Sequence, residues 1–131
     1  MATHLLLVEN EQALLDLLSR YLSRSEFQVT MASSAQVALD LLSTQVGNSV
    51  AFDIAIIDLN LSEGLTGLDL LGNLRDSGHS FPVLLYSGYP FAVETLAAHL
   101  QANVWFLQKP FLPRVLLEKV TTILEISATA N

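Results

Sequence analysis

The chain has 131 residues, 51% hydrophobic and 15% charged, a balance that excludes a disordered polar chain and supplies apolar material for a full core. Its 13 acidic and 6 basic residues give a formal charge of −7, and without a Lys/Arg cluster a surface built to neutralise nucleic-acid phosphates is not expected. Cysteine is absent, which excludes disulfides and thiol–zinc chemistry and fits a reducing cytosol.

Apolar runs of strand length alternate five times with amphipathic stretches of helix length, the pattern of βαβ units around an open parallel sheet with helices on both faces. The expected strands cover residues 4–8, 27–31, 53–57, 82–86 and 103–107. Leu5-Leu6-Leu7-Val8 runs into Glu9-Asn10, and Leu14, Leu17, Leu18, Tyr21 and Leu22 then recur with helical period as a core-facing stripe. Gly47-Asn48-Ser49 closes the second helix, and Ile54-Ala55-Ile56-Ile57 leads to Asp58. The third helix starts near Gly67, presents Leu70, Leu71 and Leu74, and is closed by Asp76-Ser77-Gly78-His79. Pro82 opens the fourth strand, where it loses little ladder bonding, and Val83-Leu84-Leu85-Tyr86 reaches Ser87. Val93, Leu96, Ala97 and Leu100 mark a fourth helix. Val104-Trp105-Phe106-Leu107 leads to Lys109, and Leu116, Val120, Ile123 and Leu124 mark the last helix. With no repeat or linker, residues 1–131 are expected to form one domain with no output domain. The apolar runs are too short to cross a bilayer, and Met1-Ala2-Thr3-His4 opens no secretion signal, so the expected location is the cytoplasm.

In an open parallel sheet, ligands and chemistry collect outside the carboxyl ends of the strands. Glu9-Asn10, Asp58, Ser87 and Lys109 each stand just past a strand, so they are expected to share one crevice and form a phosphoryl-transfer site. Taken singly, each has a plainer role. Asn10 reads as a cap of the first helix, Asp58 and Ser87 as turn residues, and Lys109 as a solvated side chain before a proline. Their joint occurrence at strand ends favours the site. His4, His79 and His99 lack metal-like spacing and are expected on the solvated surface.

These motifs resemble the response-regulator receiver domains of two-component signalling, over essentially the whole chain. Leu6-Leu7-Val8-Glu9-Asn10-Glu11 is similar to the family's acidic segment, and Asp58-Leu59-Asn60-Leu61 to its acceptor strand end. Pro82-Val83-Leu84-Leu85-Tyr86-Ser87-Gly88 resembles the strand that ends in Ser or Thr, and Phe106-Leu107-Gln108-Lys109-Pro110-Phe111 the Lys-Pro-Phe ending. The resemblance implies a flavodoxin-like (βα)5 fold, a doubly wound five-stranded parallel sheet of strand order 2-1-3-4-5. It implies that Asp58 accepts a phosphoryl group from a sensor histidine kinase or a histidine phosphotransfer protein. It implies Mg2+ held by Glu9, Asn10, Asp58 and the Asn60 backbone carbonyl, with Lys109 and Ser87 on the phosphoryl group. Ser87 and Phe106 would act as the switch, altering the face of the fourth helix, fifth strand and fifth helix for a downstream protein or a homodimer. Lys109-Pro110 resembles the family's cis bond.

The physical need for such a set is clear. A carboxylate attacking an anionic phosphoryl group meets charge repulsion, so a divalent cation and an ammonium must face the equatorial oxygens. Asn10 departs from the family's aspartate and lowers the charge available to the metal. Ser62 stands where proline is common, in a loop about one residue longer. Trp105 either covers the sheet or marks a partner patch. The alternative function is therefore a receiver-like binding module that does not depend on phosphorylation. A turnover enzyme is not expected: no Gly-rich phosphate loop follows the first strand, and Asn60 stands where an aspartate-nucleophile phosphatase has its second carboxylate. Slow self-dephosphorylation stays compatible with the leading function.

Overall fold

The structure, a computed structural model, describes residues 3–44, 52–61 and 64–129. The helix stop expected at Gly47-Asn48-Ser49 and the substitution at Ser62 lie outside the described residues. Five strands, β1 (His4–Val8), β2 (Gln28–Ala32), β3 (Ile54–Asp58), β4 (Val83–Ser87) and β5 (Val104–Gln108), form a parallel sheet in the order β2-β1-β3-β4-β5. The crossovers carry α1 (Gln12–Ser23), α2 (Ala35–Thr44), α3 (Gly67–Asp76) and α4 (Ala98–Gln101), and α5 (Pro113–Thr129) follows β5. Every strand but the first lies one residue further along than its expected position. The ladder continues past the end of the apolar run: Asp58 pairs with Tyr86 and Ser87 with Gln108, Leu59 N–H donates to the Tyr86 carbonyl at 2.9 Å, and Lys109 N–H donates to the Ser87 carbonyl at 2.8 Å. Asp58 and Ser87 are thus the last residues of strands, not the first residues after them.

Successive side chains alternate between two cores. Leu5, Leu7, Ile54, Ile56, Leu84 and Tyr86 meet Leu15, Leu18 and Leu22 of α1 and Leu116, Val120 and Ile123 of α5. On the other face Leu6, Val8, Ala55, Ile57, Val83 and Leu85 meet Ala35 and Ala38 of α2 and Leu70, Leu71 and Leu74 of α3. The central strands are buried on both faces, which explains their continuous apolar runs.

Three expectations are corrected. In α1 the buried face is Leu15, Leu18 and Leu22, while Leu17 is 53% exposed. Adjacent leucine pairs at 14–15 and 17–18 fit two helical registers about 100° apart, and packing against the sheet selects one. The fourth helix is broken into a 3₁₀ turn, Val93–Thr95, and the single turn of α4, with Leu96 and Ala97 extended between them. The Gln101 side chain donates to the carbonyls of Leu96 at 2.7 Å and Glu94 at 3.2 Å, occupying acceptors that a continuous helix would fill with amides. Val93, Leu96 and Leu100 nevertheless pack on the core, whereas Ala97 is exposed. His4 is not a solvated residue: its Nε2 lies 2.6 Å from the Thr30 hydroxyl, its ring packs on Phe52 at 4.7 Å, and its buried Nδ1 has no hydrogen-bond partner. Burial lowers its pKa against the opposing charge of Asp53. His79 is half-buried beside Phe81 and His99 is exposed.

An acidic crevice at the carboxyl rim

Glu9 follows β1 and remains in the ladder through its N–H, which donates to the Ala32 carbonyl at 3.1 Å. Its side chain is almost fully buried. Such a carboxylate needs partners on both oxygens. Oε1 accepts from the Tyr86 hydroxyl at 2.6 Å and lies 3.4 Å from Lys109 Nζ, and Oε2 accepts from the Glu11 N–H at 3.0 Å. Asp58, at the end of β3, is equally enclosed. Its Oδ1 accepts from the Asn60 N–H at 2.9 Å and its Oδ2 lies 3.3 Å from Lys109 Nζ. The plain turn role and the crevice role therefore coexist on one carboxylate. The ammonium bridges Glu9 and Asp58 at distances longer than a tight charge-assisted bond, and it rests over the Tyr86 ring, 4.8 Å from the centroid.

Ser87, the last residue of β4, is buried, and its Oγ accepts from Asn60 Nδ2 at 2.9 Å and from the Tyr89 N–H at 3.0 Å. Asn60 thus contacts Asp58 through its backbone and Ser87 through its side chain. Asn10 is exposed on the rim beside Glu9, and the cap of α1 is Glu11, without a side-chain cap bond. Asn10 is therefore not the helix cap that its residue type suggests. The Lys109–Pro110 bond is cis. Phe106 is half-buried against the core on the α2–α3 face of the sheet, with its ring 5.8 Å from Phe91, while Trp105 packs on the α1–α5 side and covers the sheet there.

Gly67 places α3 against this rim. A Cβ on it would lie 2.5 Å from the Asp58 carbonyl oxygen and 2.8 Å from the Leu59 Cα, so only glycine allows the helix to start here. The first turn is then closed by a capping box between Thr66 and Asp69.

Electrostatically the two carboxylates differ. Burial pushes Glu9 up, but hydrogen bonds from Tyr86 and Glu11 and the charge of Lys109 outweigh it and leave its pKa below the ordinary value. For Asp58, burial together with the negative charge of Glu9 prevails over the Asn60 N–H and Lys109, and its pKa is raised. One ammonium does not balance two enclosed carboxylates. Two enclosed carboxylates beside one ammonium form an acidic pocket consistent with a small, hard dication such as Mg2+. Among the described residues no group of three or more His, Cys, Asp and Glu is placed to hold a metal.

Tyr86 is the site residue that the motifs did not reveal. Its signal was a phenol within a fully buried apolar strand, where the hydroxyl needs a partner.

Residues 5–121 match the family model of the response regulator receiver domain. Response regulator SaeR of Staphylococcus epidermidis is 27% identical over 129 residues, covering 98% of this chain and 53% of SaeR. Response regulator protein FleR of Pseudomonas aeruginosa is 35% identical over 120 residues, covering 92% of this chain and 24% of FleR. The chain thus spans about half the length of SaeR and a quarter of FleR. A CheY-like receiver domain protein from Methanospirillum hungatei superposes with a TM-score of 0.82 at 23% identity, covering 100% of both chains.

Proposed function

The chain belongs to the response regulator receiver domains, and from that premise we propose that residues 1–131 work as a phospho-accepting signalling unit with Asp58 as acceptor. The observation that carries this is the Lys109 ammonium bridging the buried carboxylates of Glu9 and Asp58 at the carboxyl rim of the sheet. The donor is a phosphohistidine on a histidine kinase or phosphotransfer protein. An Asp58 oxygen forms the new bond to phosphorus while the histidine N–P bond breaks, and the imidazole leaves with the electron pair of that bond. Lys109 faces the negative charge of the transferring group, and Ser87 donates its hydroxyl hydrogen to a phosphoryl oxygen. Glu9, Asn10, Asp58 and the Asn60 carbonyl would hold Mg2+, which when bound supplies positive charge against the phosphoryl oxygens.

Signalling follows from the displacement of Ser87 and Phe106 and from the face of α4, β5 and α5, which meets a downstream protein or a second copy. In the test, the parent and Asp58→Asn are treated with a small phosphodonor and Mg2+ and weighed intact. The parent gains the mass of one phosphoryl group and the variant none; an equal gain in both would refute the acceptor assignment. Asn10 supports a second reading, a binding module independent of phosphorylation, because it removes a full charge from the metal side. Partner binding insensitive to Asp58→Asn would favour that module.

A further inference from the structure

Tyr86 is the largest fully buried side chain and pairs with Asp58 in the β3–β4 register. It touches both charged neighbours of the acceptor. Its hydroxyl donates to Glu9 Oε1 at 2.6 Å, and its ring carries the Lys109 ammonium 4.8 Å from the centroid. Phe111 supports the ring edge-on at 5.6 Å. The Glu9 carboxylate is thereby fixed in plane: Tyr86 and Lys109 hold Oε1, and the Glu11 N–H holds Oε2. Without the hydroxyl, the closest restraint on Oε1 is lost. Lys109 then competes for whichever oxygen turns toward it. That matters more here because Asn10 is neutral, so within Glu9-Asn10-Glu11 the buried negative charge beside Asp58 is Glu9, while Glu11 is exposed.

We propose that Tyr86 is a positioning residue of the cation site, whose hydroxyl holds the Glu9 carboxylate in the orientation that serves a divalent metal. This rests on the metal assignment above. Hydrogen-bond partners of metal-site carboxylates commonly alter affinity by ten-fold or more.

The test is calorimetric titration of Mg2+ into the full chain without phosphodonor, for the parent, Tyr86→Phe, Phe111→Leu, Glu9→Gln and Tyr86→Phe/Glu9→Gln. Tyr86→Phe should weaken Mg2+ binding about ten-fold. Phe111→Leu removes a packing contact of the same ring and should lower the melting temperature with little change in Mg2+ affinity. In the Glu9→Gln background, Tyr86→Phe should add less than three-fold, because the group that the hydroxyl positions is gone. Parent-like affinity in a folded Tyr86→Phe, or independent effects of Tyr86 and Glu9, would overturn the proposal and leave the metal assignment standing. A parent chain without saturable Mg2+ binding would overturn both. If Tyr86→Phe does not fold alone, the comparison of Phe111→Leu with the parent decides: a ten-fold loss of Mg2+ affinity there would assign the effect to packing.

Discussion

The crossover from β3 to β4 carries a ten-residue helix with a closed capping box and four buried residues, one of them the glycine pressed against the end of β3. The crossover from β4 to β5 covers the same core with a 3₁₀ turn and a four-residue helix that have no side-chain caps and no buried residue. Its far end is tied down, because the Arg75 guanidinium donates to the carbonyls of His79, Phe81, Ala102 and Asn103. The loosely held part is therefore the stretch that begins just after Ser87. Segments with few buried contacts rearrange at low cost. The molecule thus pairs a capped, well-packed flank at Asp58 with a sparsely packed flank at Ser87.

Core truncation should show this contrast most strongly. Leu71→Ala, in α3, should lower the unfolding free energy by about 2–5 kcal/mol in denaturant melts. Leu96→Ala, in the fourth crossover, should cost less than about 1 kcal/mol; equal losses would break the contrast. Next comes Gly67→Ala, expected to cost about 1–3 kcal/mol through overpacking against the β3 end. Gly88→Ala, where an added Cβ meets nothing within 4 Å, should change stability by no more than about 0.5 kcal/mol.

A third test addresses the rim through pH. Burial and the charge of Glu9 raise the Asp58 pKa above its ordinary 3.8. The unfolded chain therefore releases that proton first, and the native state loses stability as pH rises from the ordinary value through the raised one. Metal-free Asp58→Asn should melt at a higher temperature than the parent at neutral pH, and the gain should vanish below about pH 3.8. A gain that persists in acid would mean that the charge is not its source. The smallest effect is expected for Gln101→Ala, whose bonds are exposed: faster hydrogen exchange over residues 96–101, with a global stability loss below about 0.5 kcal/mol.

Much of the site was legible before any coordinates. Glu9, Asp58, Ser87 and Lys109 stand at the ends of apolar runs, and a parallel βα alternation brings all carboxyl ends to one rim whatever the loops between them. Asn60 was legible only in part: the family resemblance implied a role for its backbone carbonyl, whereas its side-chain bond to Ser87 depends on a rotamer. His4 was misplaced because a histidine next to an apolar run gives no sign of the Phe52 ring, which comes from distant sequence to cover it.

Hydrophobic periodicity by itself determined the element order, the parallel sheet and the four rim residues, because burial of alternating and helical apolar patterns admits few solutions. The tertiary structure alone decided which leucines of α1 face inward, that the fourth helix breaks at Leu96, and that the Tyr86 hydroxyl reaches Glu9 at 2.6 Å. Each of these is a choice between local alternatives of similar energy. A contact from a residue remote in the chain, or a side chain competing for a backbone carbonyl, settles it.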